Sequence, residues 1–289
     1  MESIKYLLAN ERDRQWGLSV SSLGAERFGP GDAYPSERHT GSYMFRADRG
    51  RVFDEYQLVY ISEGSGYFES ASVERTKIAA GTMFLLFPGE WHTFSPEAST
   101  GWTQYWIGFR GDNIDLRVEN MFLSKESPIF HVGISDTVIK LYNEAIEAAC
   151  REVSCFQLLL AGIVNHLLGL MYVLDQNRRF EETNTGVADK IQKAKVLMHE
   201  SLEEPVALQE IARRVGMSYS SFRQHFREYT GSAPASYLRI LRLERAMEML
   251  TRTGLTVKEI AYTLNFKSPE YFSMQFKKAF GRSPSDYRM

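Results

Sequence analysis

The chain has 289 residues, a length that predicts about two domains with packed cores. Its apolar content of 44% and aromatic content of 13% indicate a folded protein and argue against disorder. The formal net charge of −2 hides an asymmetry, because residues 186–289 hold 17 Lys+Arg against 11 Asp+Glu while residues 1–185 hold 17 against 25. The basic C-terminal third suggests contact with a polyanion, although a solvated surface has the same balance.

The chain shows no targeting signal. Its start, MESIKYLLANERDRQ, lacks a basic region followed by an apolar core, so no signal peptide is expected. The most apolar helical run, 156–174, is interrupted by Asn165 and His166 and is short for a bilayer span, which favours a buried or partner-facing helix. Cys150 and Cys155 form no CxxC pair, so neither a disulfide framework nor a zinc site is expected. We therefore predict a cytoplasmic protein without membrane contact.

Residues 1–130 have the pattern of an antiparallel sandwich or barrel. The segment YQLVYISEGSGYFES (56–70) alternates in part, is rich in β-forming residues, and carries a turn signal at residues 64–66. Further apolar runs bounded by glycine or proline predict strands over 76–81, 82–87 and 102–109.

The pattern becomes helical near residue 135. SDTVIKLYNEAIEAAC (135–150) places apolar residues at helical spacing after a Ser135/Asp136 cap, and a more apolar helix is predicted over about 153–175. Residues 175–186 are polar and aperiodic and end in glycine, as linkers do. The remaining chain predicts seven helices, near 187–201, 207–215, 219–229, 234–250, 256–264, 269–280 and 284–288.

Two stretches of the C-terminal part align without a gap: SYSSFRQHFREYTGSAPASY (218–237) and SPEYFSMQFKKAFGRSPSDY (268–287). Each follows a short helix with an Ile-Ala pair and a turn at Gly216 or Asn265, the two residue types that best tolerate a left-handed backbone. The pattern predicts a helix, a tight turn, a serine cap and a second helix. Aromatic residues four apart share one buried face of each second helix, namely Phe222, Phe226, Phe272 and Phe276.

This arrangement is typical of a helix-turn-helix whose second helix enters the major groove of DNA. Outward residues near the start of that helix reach base edges, and basic residues further along meet phosphates. Arg223 suits guanine, Gln224 suits adenine, and Glu270 suits cytosine, while Met274 offers an apolar contact to a thymine methyl. A plain helical bundle with two similar hairpins is the alternative, but it does not account for the repeated string together with the local positive charge.

The segments 216–250 and 256–288 resemble the DNA-binding domain of AraC/XylS-type bacterial transcription regulators, with a likeness that covers about 187–289. The closing G-x-x-P-x-x-Y-R string (281–288) is very specific. The resemblance implies two helix-turn-helix units, joined by a long helix at about 234–250, that bind successive major-groove segments. By matching positions it implies base-facing and phosphate-facing residues, the former being Ser220, Arg223, Gln224, Glu270, Ser273 and Met274 and the latter Arg227 and Lys277. Met274 departs from the family pattern, in which a longer polar or basic residue is frequent.

Residues 54–111 resemble the cupin-like sensor domain that precedes such DNA-binding domains, through A-G-x3-L-x2-P-G-x2-H (80–92) and W-x3-W-I-x-F (102–109). In sugar-responsive members a barrel holds the effector against an aromatic ring, with polar groups on its hydroxyls. The candidates by strand position are Arg49, His92, Thr93, Gln104 and Trp106. Arg51 competes with Arg49, His92 is equally typical of a core or turn histidine, and one of Trp102 and Trp106 fills the barrel.

The predicted fold is α+β with two domains. It comprises a cupin-like antiparallel β-barrel (1–134), a helical dimerisation segment (135–175), a linker (176–186) and an all-α double helix-turn-helix domain (187–289). Residues available to a partner helix include Leu158, Ala161, Ile163, Asn165, Leu168 and Tyr172, which alternatively pack on their own barrel.

The predicted function is a sequence-specific transcription regulator, an activator, that responds to a small effector such as a carbohydrate. Its expected partners are double-stranded DNA, RNA polymerase and a second copy of the chain, in the bacterial cytoplasm at the nucleoid. A cupin-type sugar-processing enzyme is the alternative, but the motif region supplies His92 alone as a metal ligand, so no metal, cofactor or catalysis is expected. A protein-interaction scaffold is a third possibility, in which Arg223→Ala would not affect duplex binding.

Overall fold

The computed structural model describes residues 3–36, 38–39 and 46–288. The chain divides into two compact units, Met1–Arg178 and Arg179–Met289. The strands are β1 Ser3–Tyr6, β2 Ser19–Phe28, β3 Arg51–Val52, β4 Tyr56–Ser70, β5 Thr76–Ala79, β6 Thr82–Leu86, β7 Trp91–Pro96, β8 Trp102–Arg110 and β9 Ile129–His131. The helices are α1 Glu11–Arg14, α2 Asp112–Glu119, α3 Asp136–Arg151, α4 Phe156–Thr183, α5 Val187–Glu200, α6 Leu208–Arg214, α7 Tyr219–Thr230, α8 Pro234–Arg252, α9 Val257–Thr263 and α10 Pro269–Phe280, followed by a 3-10 turn, Ser285–Tyr287.

The N-terminal unit is built on an antiparallel sheet in which the long strand β4 has two sets of neighbours. The first half of β4 pairs with β6 and β8, and the second half pairs with β5 and β7. The larger layer has the order β1-β2-β8-β4-β6-β9. Within the described residues the end strands β1 and β9 do not pair with each other, so the sheet is folded over but open, not the closed barrel that the sequence predicts.

The turn expected at residues 64–66 is absent, because β4 continues through this position as one strand. Gly64 has a left-handed φ of 79°, and a Cβ placed on it would lie 2.1 Å from the carbonyl oxygen of Gly101. The pairing register also shifts between Ile61 and Glu63. A glycine and an irregularity of this kind bend the strand from one layer into the other without ending it.

Both faces of the larger layer are covered by apolar side chains. On β4, Leu58 and Tyr60 belong to the core shared with α3 and α4, whereas Val59 and Ile61 belong to an inner core formed by the two layers of the sheet. The hydroxyl of Tyr142 on α3 donates to the carbonyl oxygen of Leu58 at 3.1 Å and ties the helix to the strand. A strand that is buried on both faces has a continuous apolar sequence, which explains the run LVYI.

Helix α4 is longer than predicted and runs to Thr183, through most of the segment expected to be a linker. It is long and apolar enough to cross a membrane by length and composition alone, and 44% of its most apolar window is buried inside the protein. Of the residues suggested for a partner helix, Ala161, Ile163 and Leu168 are buried in the core of their own unit. The face of α4 that is exposed carries Leu159, Gly162, His166, Gly169 and Val173.

The C-terminal unit contains the predicted helices, whose ends differ from the expected positions by at most two residues. They surround two separate hydrophobic cores. The first includes Phe222 and Phe226, and the second includes Phe272 and Phe276. Helix α8 contributes Leu238 to the first core and its later residues to the second, so the long helix joins two similar lobes.

Candidate nucleic-acid interface and effector cleft

The two copies of the repeat adopt the same backbone at the turn between their helices. Gly216 has φ 67° and Asn265 has φ 57°, both in the left-handed region. One residue later, the amide of Met217 donates to the carbonyl oxygen of Ala212 at 2.9 Å, and the equivalent bond joins Phe266 to Ala261 at 2.9 Å. The turn is therefore the same device in both copies, with asparagine replacing glycine in the second.

The caps of the second helices also match. The hydroxyl of Ser218 accepts from the amide of Ser221 at 3.2 Å, and that of Ser268 accepts from the amide of Tyr271 at 3.1 Å. Both helices end at a left-handed glycine. Caps of this kind satisfy backbone groups that have no partner inside the helix, so both helices begin and end at equivalent residues.

The two aromatic pairs, Phe222 with Phe226 on α7 and Phe272 with Phe276 on α10, are fully buried, as predicted. Because this face is inside, the opposite face of each helix lies at the surface. The predicted DNA-contacting residues are all on that surface: Ser220, Arg223, Gln224, Arg227, Glu270, Met274 and Lys277 are exposed, and Ser273 is half-buried. The structure brings them together as two sets, one on each second helix.

The electrostatics of the two sets differ. On α7, the guanidinium of Arg223 lies 5.9 Å from the ring centroid of Tyr219, and the amide nitrogen of Gln224 donates to a carboxylate oxygen of Glu228 at 2.9 Å. On α10, a hydrogen bond from Ser268 lowers the pKa of Glu270, so this residue is a carboxylate at neutral pH. Met274 is 57% exposed, so a large apolar side chain lies at the surface of α10.

In the N-terminal unit, a cleft opens at the inner core. Its lining comes from distant parts of the sequence, namely Tyr34, Pro35, His39, Arg51, Gln57, Val59, Phe94, Gln104 and Trp106. The ring of Trp106 lies 5.5 Å from that of His39, and the hydroxyl of Tyr34 donates to the side-chain oxygen of Gln104 at 3.4 Å. One aromatic plane and several amide or guanidinium groups therefore converge on one space, as in pockets for small polar ligands.

The cleft includes two of the five predicted effector contacts, Gln104 and Trp106. Arg49 is exposed and does not line the cleft, whereas its neighbour Arg51 does. Thr93 points to the other face of β7, where its hydroxyl donates to the carbonyl oxygen of Ala47 at 2.7 Å. Thr93 differs because side chains alternate along a strand and the adjacent Phe94 lines the cleft. Arg49 differs because it lies in the turn before β3, not on a strand.

His92 is buried beside the cleft and is 1% exposed. Its Nδ1 lies 3.1 Å from the carbonyl oxygen of Glu90, and its ring packs against Phe53 and Phe94. Burial, reinforced by the nearby charge of Arg51, lowers the pKa of His92 to about 3. His92 is therefore neutral and buried, and it packs beside the cleft without lining it.

Sequence reasoning overlooked Tyr34, Pro35 and His39, which line the cleft from the loop after β2. Nε2 of His39 donates to the carboxylate of Glu26 at 2.9 Å, and the Tyr6 hydroxyl lies 3.0 Å from the other ring nitrogen. Burial alone would raise the pKa of Glu26, but hydrogen bonds from His39 and Ser36 outweigh it and lower the pKa. No periodic pattern marks this loop in the sequence, because its position depends on contacts with strands far along the chain.

One further lining residue, Gln57, carried a signal in the sequence. It is 3% exposed and is the polar residue in the otherwise apolar run YQLVYI. A buried amide needs a hydrogen-bonding partner, so such a residue in a central strand indicates a polar site. Among the residues that the structure describes, no group of three or more His, Cys, Asp or Glu is arranged to hold a metal ion.

The fold and the two sites define a protein with a ligand-binding sheet domain and a double helix-turn-helix DNA-binding domain. Two family models support this: an AraC-like ligand-binding domain matches residues 34–181, and a helix-turn-helix domain matches residues 211–289. The chain belongs to the AraC family of transcription regulators, which bind DNA and respond to a small effector.

Several relatives align along most of their length. The chain is 28% identical to the Msm operon regulatory protein of Streptococcus mutans, over 89% of this chain and 91% of that protein. It is 27% identical to the lactose operon transcription activator of Staphylococcus xylosus, over 82% and 85% of the two chains. It is 25% identical to the raffinose operon transcriptional regulatory protein of Pediococcus pentosaceus, over 86% and 88%.

Proposed function

We propose that this regulator is a carbohydrate-responsive transcription activator that reads DNA with the exposed faces of α7 and α10. One observation carries the proposal: the two helices present side chains at equivalent exposed positions, over equivalent buried phenylalanine pairs. In this scheme the base-edge contacts come from Ser220, Arg223, Gln224, Glu270, Ser273 and Met274, and the phosphate contacts from Arg227 and Lys277. Two readers on one chain specify a longer site than one reader can.

Selection from a pool of random duplexes tests this scheme. The full-length protein should enrich a motif with two separated blocks of preferred bases, one for each helix. Ala substitutions in α7 should affect one block and those in α10 the other. Enrichment of a single block, unaffected by changes in α10, would contradict a reading role for the second helix.

A carbohydrate effector suits the cleft because an indole face packs well on the apolar face of a sugar ring. Trp106 provides that face, while Arg51, Gln57 and Gln104 provide hydrogen-bonding groups for hydroxyls. Two of the relatives are named after lactose and raffinose operons, which supports the same class of ligand. In the structure the space in the cleft is about 20 Å³, close to one water, so a sugar fits only after Tyr34 or its neighbours move.

A thermal-shift screen of mono- and oligosaccharides against the purified protein tests the effector class. The sugar that stabilises the protein should no longer do so in Trp106→Leu. Trp16→Leu is the matched control, because Trp16 is 58% exposed and does not line the cleft. Equal stabilisation of both variants would show that the sugar binds elsewhere.

We also propose a homodimer formed through the exposed face of α4. Leu159, Gly162, His166, Gly169 and Val173 follow one another at intervals of three and four residues, the spacing of a helix–helix seam. A Cβ placed on Gly162 or Gly169 meets nothing within 4 Å, so these glycines have no packing role within the chain. Two copies would double the DNA contacts and raise the affinity through effective concentration.

Sedimentation of Gly169→Leu tests the dimer. Leucine is a better helix former than glycine by roughly 1 kcal/mol, so this exposed substitution should not harm the fold. The leucine side chain would keep two α4 helices apart, and we expect the variant to sediment as a monomer. A variant that remains dimeric would place the interface elsewhere.

As an activator, the protein would act with RNA polymerase at bacterial promoters, in the cytoplasm and at the nucleoid. Transcription in vitro from a template that carries the selected duplex tests this role. Addition of the stabilising sugar should raise the transcript yield. A lower yield would indicate a repressor.

A further inference from the structure

The base-facing surface of α7 contains a carboxylate that holds one of the predicted base readers. Nε2 of Gln224 donates to Oε1 of Glu228 at 2.9 Å, and Nδ1 of His225 lies 3.1 Å from Oε2 of the same residue. Both oxygens of Glu228 are therefore engaged from the same helix. These hydrogen bonds, with that from Gln224 the stronger, lower the pKa of Glu228, so the group is ionised at neutral pH.

The partner on the other oxygen is itself well held. The His225 side chain is 20% exposed, and its ring packs edge to face on that of Phe180 at 6.4 Å. The ring of Phe180 also packs on Tyr229, one turn after His225, at 5.2 Å. A carboxylate anchored by a packed histidine has less freedom than an isolated exposed one. Glu228 is thus a fixed acceptor beside Gln224.

The chemistry of a carboxylate determines how the amide is turned. Ionised Glu228 can only accept, so Gln224 must present its NH₂ group to it. The terminal torsion of glutamine is otherwise broad. With one N–H engaged, the carbonyl oxygen and the remaining N–H are free to point outward. A glutamine reads adenine through these two groups, the oxygen accepting from N6 and the N–H donating to N7.

The second copy of the repeat supports a specific role for this pair. Alignment of Ser218 with Ser268 places Met274 at the position of Gln224 and Lys278 at the position of Glu228. The second copy thus lacks the amide of Gln224, and it also has a lysine in place of the glutamate. Near a phosphate backbone a lysine increases affinity and a glutamate decreases it. The charge of Glu228 therefore opposes DNA binding. A residue that lowers affinity in this way is expected to contribute something else, such as specificity.

We propose that Glu228 is a positioning residue for base recognition, which holds the Gln224 amide in the orientation that selects adenine. The inference rests on the proposed role of Gln224 at a base edge. It separates two properties of one side chain: the negative charge of Glu228 weakens binding to every sequence, whereas its acceptor oxygen sharpens the preference at one base pair.

Two substitutions at this position divide those properties. Glu228→Gln removes the charge and keeps an oxygen that can accept from Gln224. Glu228→Ala removes both. Full-length wild type and variants would be compared by competition among four duplexes that differ only at the Gln224-dependent base pair, itself identified as the position at which Gln224→Ala changes the selected motif.

The expected results differ in kind for the two variants. Both should bind all four duplexes more tightly than wild type, because a charge that repels phosphate is gone. Glu228→Gln should keep the wild-type preference for adenine. Glu228→Ala should reduce that preference by about threefold to tenfold, part of the discrimination that a bidentate glutamine provides.

The outcomes distinguish this inference from the proposed function. If Gln224→Ala abolishes a base preference and Glu228→Ala leaves it unchanged, Gln224 is a reader but Glu228 does not position it, and the inference is overturned alone. If Gln224→Ala changes no base preference, the role of Gln224 fails and the inference fails with it. An equal loss of preference in Glu228→Gln and Glu228→Ala would assign the effect to charge and also overturn the inference.

Transfer of the pair to the second repeat provides an independent test. Met274→Gln introduces an amide beside Lys278, and Met274→Gln/Lys278→Glu introduces the amide together with its acceptor. The double variant should bind all duplexes more weakly but show the stronger adenine preference in the second block of the motif. Equal preferences in the single and double variants would contradict the positioning role.

Discussion

The ring of Tyr237 lies edge to face on that of Phe226, with 5.3 Å between the ring centroids, and Tyr287 repeats this contact on Phe276 at 5.4 Å. In each copy the tyrosine follows the glycine that caps the second helix of the motif and a proline three residues after that glycine. The contact therefore closes each lobe by packing the chain that leaves the helix-turn-helix onto its buried aromatic pair. The outward face of each reader depends on this packing, because it determines which side of the helix is inside.

Phe226→Ala should destabilise the C-terminal unit by about 3–5 kcal/mol, since it removes a fully buried ring and leaves a cavity. Chemical unfolding followed by far-ultraviolet circular dichroism measures this loss, and tryptophan fluorescence, which reports only the N-terminal unit, should not change. Tyr262→Ala is a suitable control, because Tyr262 is an aromatic residue of the same unit that is 54% exposed. A change below about 1 kcal/mol for Phe226→Ala would contradict the buried position of the ring.

The left-handed turns at Gly216 and Asn265 predict which residues can replace Gly216. Gly216→Asn should be tolerated, because asparagine already adopts this conformation at residue 265. Gly216→Val should cost at least about 1–2 kcal/mol, since a β-branched residue is strained at positive φ. The space around Gly216 is open, so a steric clash with neighbours does not confound the comparison. Equal stability of the two variants would argue against the left-handed turn.

Replacement of Arg223 and of Arg227 by alanine should affect DNA binding in different ways. Loss of Arg223 should cost about 1–3 kcal/mol and relax the preference at one base pair, because a guanidinium can donate two hydrogen bonds to guanine. Loss of Arg227 should weaken binding to all sequences alike. It should also reduce the slope of log affinity against log salt concentration by about 1, the value for one phosphate contact. Both residues are exposed, so neither change should affect folding.

Binding of selected and scrambled duplexes across a salt series separates these two effects. A uniform loss of affinity in both variants would mean that Arg223 also contacts only phosphate. No loss in either variant would support the scaffold hypothesis.

The stability of the N-terminal unit should fall as the pH is lowered. Burial depresses the pKa of His92 from about 6.5 to about 3, so between these values the unfolded chain binds a proton that the folded one does not. Stability is therefore complete above the unfolded pKa and is lost progressively below it. On going from pH 7 to pH 5 we expect His92 to contribute a loss of about 2 kcal/mol.

His92→Phe should make this pH dependence shallower, because phenylalanine fills a similar space between aromatic neighbours and does not titrate. Tryptophan fluorescence isolates the relevant transition, since all four tryptophans, Trp16, Trp91, Trp102 and Trp106, lie in the N-terminal unit. Identical pH profiles for wild type and variant would show that His92 is not buried in the neutral form.

The sequence alone was sufficient for the C-terminal unit. Its repeat period, its serine caps and its left-handed turn residues are local signals, because each depends on residues within a few positions of one another. They located the helices to within two residues and predicted that Phe222, Phe226, Phe272 and Phe276 are buried. The outward faces of α7 and α10 followed directly from the buried ones.

Only the tertiary structure determined the candidate effector cleft and the exposed face of α4. The cleft joins Tyr34, Arg51, Gln57 and Trp106, which lie in different segments of the chain and meet through strand pairing. Strand alternation cannot separate Arg49 from Arg51, because they are two residues apart; the structure places Arg49 in the turn before β3 and Arg51 on β3, where it lines the cleft. Residues 156–174 of helix α4 are apolar nearly all round, so their periodicity could not show which side the sheet covers; long-range packing made that choice.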